Sequence, residues 1–123
     1  DGAPELLAHR TKRGPVHVLS NGFANLQSRK LKSGGIDKYI TKLILSDDID
    51  VTKPDRRLFD YALEQVGGTP ETTVMIGDNY DADILGANNA GWHTIFFNRK
   101  NVVLETNVAD LTVTRLTDII AWL

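Results

Sequence analysis

Short, continuously apolar runs recur along this chain, and the segments between them are patterned as helices. The runs are Val16-His17-Val18-Leu19, Leu43-Ile44-Leu45-Ser46, Thr73-Val74-Met75-Ile76, Thr94-Ile95-Phe96-Phe97 and Leu111-Thr112-Val113. Each is short enough for a strand and mostly apolar, so both faces need cover. Phe23 to about Ser33 reads as a helix closed by Gly34-Gly35. Pro54-Asp55 opens a second, whose apolar residues Leu58, Phe59, Ala62, Leu63 and Val66 share one face before Gly67-Gly68 ends it. A third includes Ile84, Leu85, Ala87 and Ala90 and stops at Gly91. Arg115 to Leu123 reads as a terminal helix, and Pro4 to about Arg13 as a covering one. This order predicts an α/β fold, a Rossmann-like parallel sheet sandwiched by helices in three layers, with residues 1–123 forming one domain.

Composition narrows the function classes. With 123 residues, 41% hydrophobic and 24% charged, the chain can build a core of its own. It has no cysteine, which removes disulfides, thiolate metal sites and cysteine nucleophiles and is compatible with a cytoplasmic protein. Net charge is −2, and the basic stretches His9-Arg10-Thr11-Lys12-Arg13 and Arg29-Lys30-Leu31-Lys32 lie on predicted helices as solvated faces, so no nucleic-acid partner is expected. The longest apolar run, Ile119 to Leu123, is far short of the ~20 residues that span a bilayer. Of the 16 acids, 12 are Asp, the short-armed acid of caps, turns and ligand positions.

In an open parallel sheet, ligands bind beyond the carboxyl ends of the strands. Ser20-Asn21-Gly22 follows the first run and opens a helix. Its hydroxyl and main-chain N–H groups can cradle a phosphate, or Ser20 can simply cap. An acidic loop after the second run reaches Lys53-Pro54, where the ammonium is either a neutraliser of phosphate and attacking carboxylate or an ordinary solvated lysine. Gly77-Asp78 follows the third run. A carboxylate at the edge of an apolar core needs a partner, and hard-oxygen ligation of Mg²⁺ is the natural one. Asp81 and Asp83 fall at the start of the next helix, where acids favour the dipole, and Asp81 is read as its capping residue. Asp47-Asp48-Ile49-Asp50 does not make a calcium loop, because counting from Asp48 the glycine and glutamate positions hold Lys53 and Phe59. His9, His17 and His93 lack the i, i+4 partner of a zinc helix.

Taken in order, these segments resemble the haloacid dehalogenase superfamily. Leu19-Ser20-Asn21-Gly22 is similar to its second motif and Lys53-Pro54-Asp55 to its third. Ile76-Gly77-Asp78 through Asp83, continuing to Gly91, is similar to its fourth. The texture of Ser20 to Phe23 and of Phe59 to Glu64 is nearest the nucleotidase-like phosphatase branch with a helical cap. The resemblance implies that Ser20, Asn21, Gly22 and Lys53 bind phosphate and that Lys53 neutralises charge. It further implies Asp78 as a Mg²⁺ ligand and Asp83 as support for Lys53 or for the metal shell. The reaction it implies is hydrolysis of a small phosphorylated metabolite, with nucleoside 5′-monophosphates foremost, through an aspartyl-phosphate.

The family's first motif, Asp-x-Asp at the end of a strand, has no counterpart. Asp48-x-Asp50 lies in a loop and Asp81-x-Asp83 belongs to the fourth motif. Asp1 to Leu7 resembles the segment just after the family's cap, and there is no initiator methionine. The expectation is therefore the C-terminal part of a core domain, without its first strand and cap and inactive alone. The strands at 16–19 and 73–76 would each lose an edge partner, which invites strand-mediated self-association. A phosphosugar mutase and a metal-free dehalogenase are alternatives within the superfamily. A receiver-like signalling domain, whose acids precede its lysine in the chain, and a non-catalytic remnant are alternatives outside it. A dinucleotide site is excluded for want of Gly-x-Gly-x-x-Gly.

Overall fold

The structure, a computed structural model, describes residues 16–21 and 40–122. The helices expected over 4–13 and 23–33, and Gly22, lie outside the described residues. The five expected strands are present, each within a residue or so of its apolar run: β1 (His17–Ser20), β2 (Lys42–Leu45), β3 (Val74–Gly77), β4 (His93–Phe97) and β5 (Leu111–Val113). All ladders among them are parallel. β1 pairs with β2, and β3, β4 and β5 pair in that order as a second sheet. Among the described residues, β1 and β3 do not pair with each other, and each has an open edge.

Period-two alternation sends successive side chains of these strands into two layers. Met75 joins Ile44, Phe59, Ala62, Ala87, Ala90 and Trp92 in one cluster, with Leu19 packed against it. Ile76 packs on the other, formed by Ile95, Val113 and Ile119 with Phe97, Leu111 and Leu116. Helical elements thus cover the strands on both sides, which is the three-layer α/β arrangement. The helix α1 (Arg56–Val66) buries Leu58, Phe59 and Ala62 and sets the Phe59 ring edge-on to Trp92, centroids 5.3 Å apart. Asp55 caps its start by accepting from the Arg57 N–H at 2.9 Å, and Gly67 ends it in the left-handed region at φ 70°.

Two helices differ from expectation. The segment after β3 begins as a π-helical turn (Tyr80–Leu85) and becomes α-helical only over α2 (Gly86–Asn89). Its cap is Asn79, whose side chain accepts from the Ala82 N–H at 3.1 Å, so Asp81 is not the capping residue. The wider turn leaves Asp81 exposed and turns Asp83 inward, 5% exposed. The terminal segment, Leu116–Trp122, is a 3-10 helix. Three residues per turn stack Leu116 directly over Ile119, and both enter the same cluster. Among the described residues no helix is long and apolar enough to cross a membrane.

Candidate active site

The residues selected from the sequence converge where β1, β2 and β3 end. Lys53 reaches this rim from the loop after β2, and four hydrogen bonds to three residues fix it. Its Nζ donates to the Leu19 carbonyl at 3.1 Å and to Asp83 Oδ1 at 2.5 Å. Its main-chain N–H donates to Asn21 Oδ1 at 2.7 Å, while Asn21 Nδ2 returns a bond to the Lys53 carbonyl at 3.3 Å. The Lys53–Pro54 peptide is cis. Both ends of the Asn21 amide are thus spent on holding Lys53, leaving Asn21 its main-chain N–H for an anion.

Lys53 and Asp83 are a nearly buried ion pair, with side chains 11% and 8% exposed. Such charges are tolerated only when paired and hydrogen-bonded. Asp83 Oδ2 completes its own set by accepting from the Asn79 N–H at 3.3 Å. Gly77 is what admits this carboxylate. A Cβ on residue 77 would fall on the Asp83 side chain, so the strand end must be bare. Each Asp83 oxygen thus accepts one hydrogen bond, Oδ1 from Lys53 and Oδ2 from the Asn79 N–H.

Asp78 is different. Its side chain is 47% exposed at the end of β3, and its described partner is Arg99, with Nε 3.4 Å from Oδ2. An accessible hard carboxylate fits Mg²⁺, which takes one or two carboxylates and completes its octahedron with water and phosphate oxygen. Among the described residues no group of three or more acidic or imidazole side chains gathers around it. Ser20 ends β1 half-buried beside this rim. Asp55, next to Lys53-Pro54, has its carboxyl lowered to about 2, chiefly by the side-chain hydrogen bond from Arg57 and then by the Arg57 N–H.

Sequence reasoning missed Asn79, Asn98 and Arg99. The first is an Asx cap three residues ahead of the N–H it accepts, a pattern legible in Asn79-Tyr80-Asp81-Ala82. The other two follow β4, at the same rim. Reading the residues after every strand, and not only the first three, finds them. Asn98 is buried and grips Val102 through both its amide ends, at 2.9 and 3.0 Å, which braces the loop carrying Arg99.

Comparison with known proteins agrees with this geometry. A pyrimidine 5′-nucleotidase of Escherichia coli is 39% identical over 98 residues, 79% of this chain and 44% of its own. A glyceraldehyde 3-phosphate phosphatase of Methanothermobacter thermautotrophicus is 35% identical over 113 residues, 88% of this chain and 50% of its own. Among solved structures, the magnesium-bound HAD-hydrolase YfnB of Bacillus subtilis superposes with a TM-score of 0.90 at 24% identity, over 99% of this chain and 53% of that one. A dehalogenase solved with an intermediate superposes at 0.92 and 26% identity, over 99% of this chain and 55% of that one. This chain spans about half the length of the curated relatives it matches. The haloacid dehalogenase-like hydrolase profile matches residues 1–91, and the chain belongs to that family.

Proposed function

We propose that the protein containing this chain is a Mg²⁺-dependent phosphomonoester hydrolase that acts on small phosphorylated metabolites, nucleoside 5′-monophosphates foremost. The observation that carries the proposal is the Lys53 ammonium, nearly buried and pinned at a strand-end rim by Asp83 and the Leu19 carbonyl. A fixed cation in a low-dielectric rim costs no reorganisation when charge builds on a transferring phosphoryl group. The two relatives described above are named for phosphate-ester hydrolysis, one of a nucleotide and one of a triose phosphate.

In this reading the nucleophile is an aspartate of an Asp-x-Asp strand end, which this chain does not contain. Its carboxylate oxygen bonds to phosphorus as the ester P–O bond breaks, and the leaving oxygen takes a proton from a neighbouring acid. Water then cleaves the aspartyl-phosphate and releases inorganic phosphate. Lys53 neutralises the phosphoryl oxygens and the attacking carboxylate. The Ser20 hydroxyl and the N–H groups of Asn21 and Gly22 orient the phosphate. Asp83 holds the Lys53 ammonium in place. Asp78 supplies one ligand of Mg²⁺, which when bound offsets the phosphate's negative charge. This chain alone, lacking the nucleophile, is expected to be inactive.

The test uses the full-length protein with nucleoside monophosphates and sugar phosphates, with and without a chelator. Turnover should require the divalent ion, and Asp78→Asn should abolish it while leaving the thermal transition in place. Full activity of Asp78→Asn in chelator would sink the metal assignment.

A further inference from the structure

Asp78 is set at the rim with a cation already on it. The pairing with Arg99 is made by a braced segment rather than a loose one. Asn98 N–H donates to the Val113 carbonyl at 2.7 Å, Asn98 grips Val102 on both sides, and Asn101 turns the loop at φ 53°. The next residue, Lys100, adds a second positive charge, and no contact ties it to Asp78. The pair itself lines an open cleft of about 350 Å³, together with Asn79, Tyr80, Phe96, Asn98 and Lys100 among others. The Arg99 side chain is 59% exposed, so the guanidinium is free to swing off the carboxylate toward solvent.

We infer that Arg99 competes with the divalent cation for Asp78. The inference rests on the metal role proposed for Asp78. While Arg99 sits on the carboxylate, the charge that would attract a divalent ion is partly cancelled, and like-charge repulsion adds to the cost of binding. Binding of the ion displaces the guanidinium from the carboxylate. Arg99 thereby sets the metal affinity low enough for exchange.

The experiment titrates Mn²⁺ alone into the full-length protein, followed by its paramagnetic signal, for wild type, Arg99→Gln, Lys100→Gln and Asp78→Asn. An exposed pair of this kind is worth up to about a factor of five, and removing the nearby positive charge adds to it. Arg99→Gln should therefore tighten Mn²⁺ about three- to tenfold. That gain should shrink at about 0.5 M salt, where such charges are screened. Lys100→Gln removes the same net charge and should change affinity by less than about twofold. An unchanged or weakened affinity in Arg99→Gln, or an equal gain in Lys100→Gln, overturns the inference. Wild-type Mn²⁺ affinity in Asp78→Asn would instead refute the metal role itself, and so separates the two failures.

Discussion

Lys53 Nζ and Asp83 Oδ1 are 2.5 Å apart, joining the loop after β2 to the turn after β3 across strands that share no ladder. One contact thus carries an electrostatic and an architectural duty, and variants separate them.

Lys53→Met keeps most of the stem and removes the ammonium. In the full-length protein it should lower turnover by at least ~10²-fold, as loss of a transition-state donor does. Steady-state kinetics with a phosphomonoester checks this. Wild-type rates in both Lys53→Met and Ser20→Ala would defeat the phosphate-site assignment.

Asp83→Ala strands a nearly buried ammonium. The expected destabilisation is about 3 kcal/mol, read from urea unfolding, because the remaining charge loses its partner. Adding Lys53→Met should recover much of that stability and none of the turnover. If the double variant is as unstable as the single one, the pair does not act as a unit.

Asn79 and Asp81 should behave oppositely to their charges. Asn79→Ala removes the cap that Ala82 N–H donates to, at a cost of ~1 kcal/mol, whereas Asp81→Asn should stay within ~0.5 kcal/mol and leave turnover nearly unchanged. A large loss of metal affinity in Asp81→Asn would mean that the wrong carboxylate was chosen.

The 123-residue chain should show no phosphatase activity, and adding a separate piece bearing an Asp-x-Asp strand should restore Mg²⁺-dependent turnover. The edges of β1 and β3, open among the described residues, give such a strand donors and acceptors to satisfy, each worth ~1–3 kcal/mol when buried. Robust turnover by the chain alone would overturn the missing-nucleophile argument.

The strands were legible because continuous apolar runs leave few alternatives, and α1 because Leu58, Phe59 and Ala62 repeat at helical spacing between Asp55 and Gly67. The candidate site was legible to the extent that the residues chosen after β1, β2 and β3 do lie at those strand ends, Asp78 among them. What sequence could not give were the contacts between distant segments. Asp83 read as lysine support or metal shell, and the π-helical turn sets its oxygens against Asn79 and Lys53. Asn21 read as a phosphate binder through its main chain, and nothing in the sequence signalled that its side-chain amide bonds Lys53, 32 residues away. The π-helical turn itself leaves no periodic signature, because six residues are too few to show one.

The bare backbone at Gly77 and the buried pair behind it also bear on how relatives of this chain are to be judged. Lys53 closes the seam between two sheets besides the phosphate role proposed for it, and Gly77 is needed for Asp83 to reach it. A descendant that lost its nucleophile would still unravel at the seam if it lost Lys53, Asp83 or Gly77. Retention of these three residues in a homologue is therefore a record of architecture, and evidence of surviving catalysis has to come from Asp78 and from the Asp-x-Asp carboxylates themselves, since Asp78 is half-exposed and holds no buried ion pair.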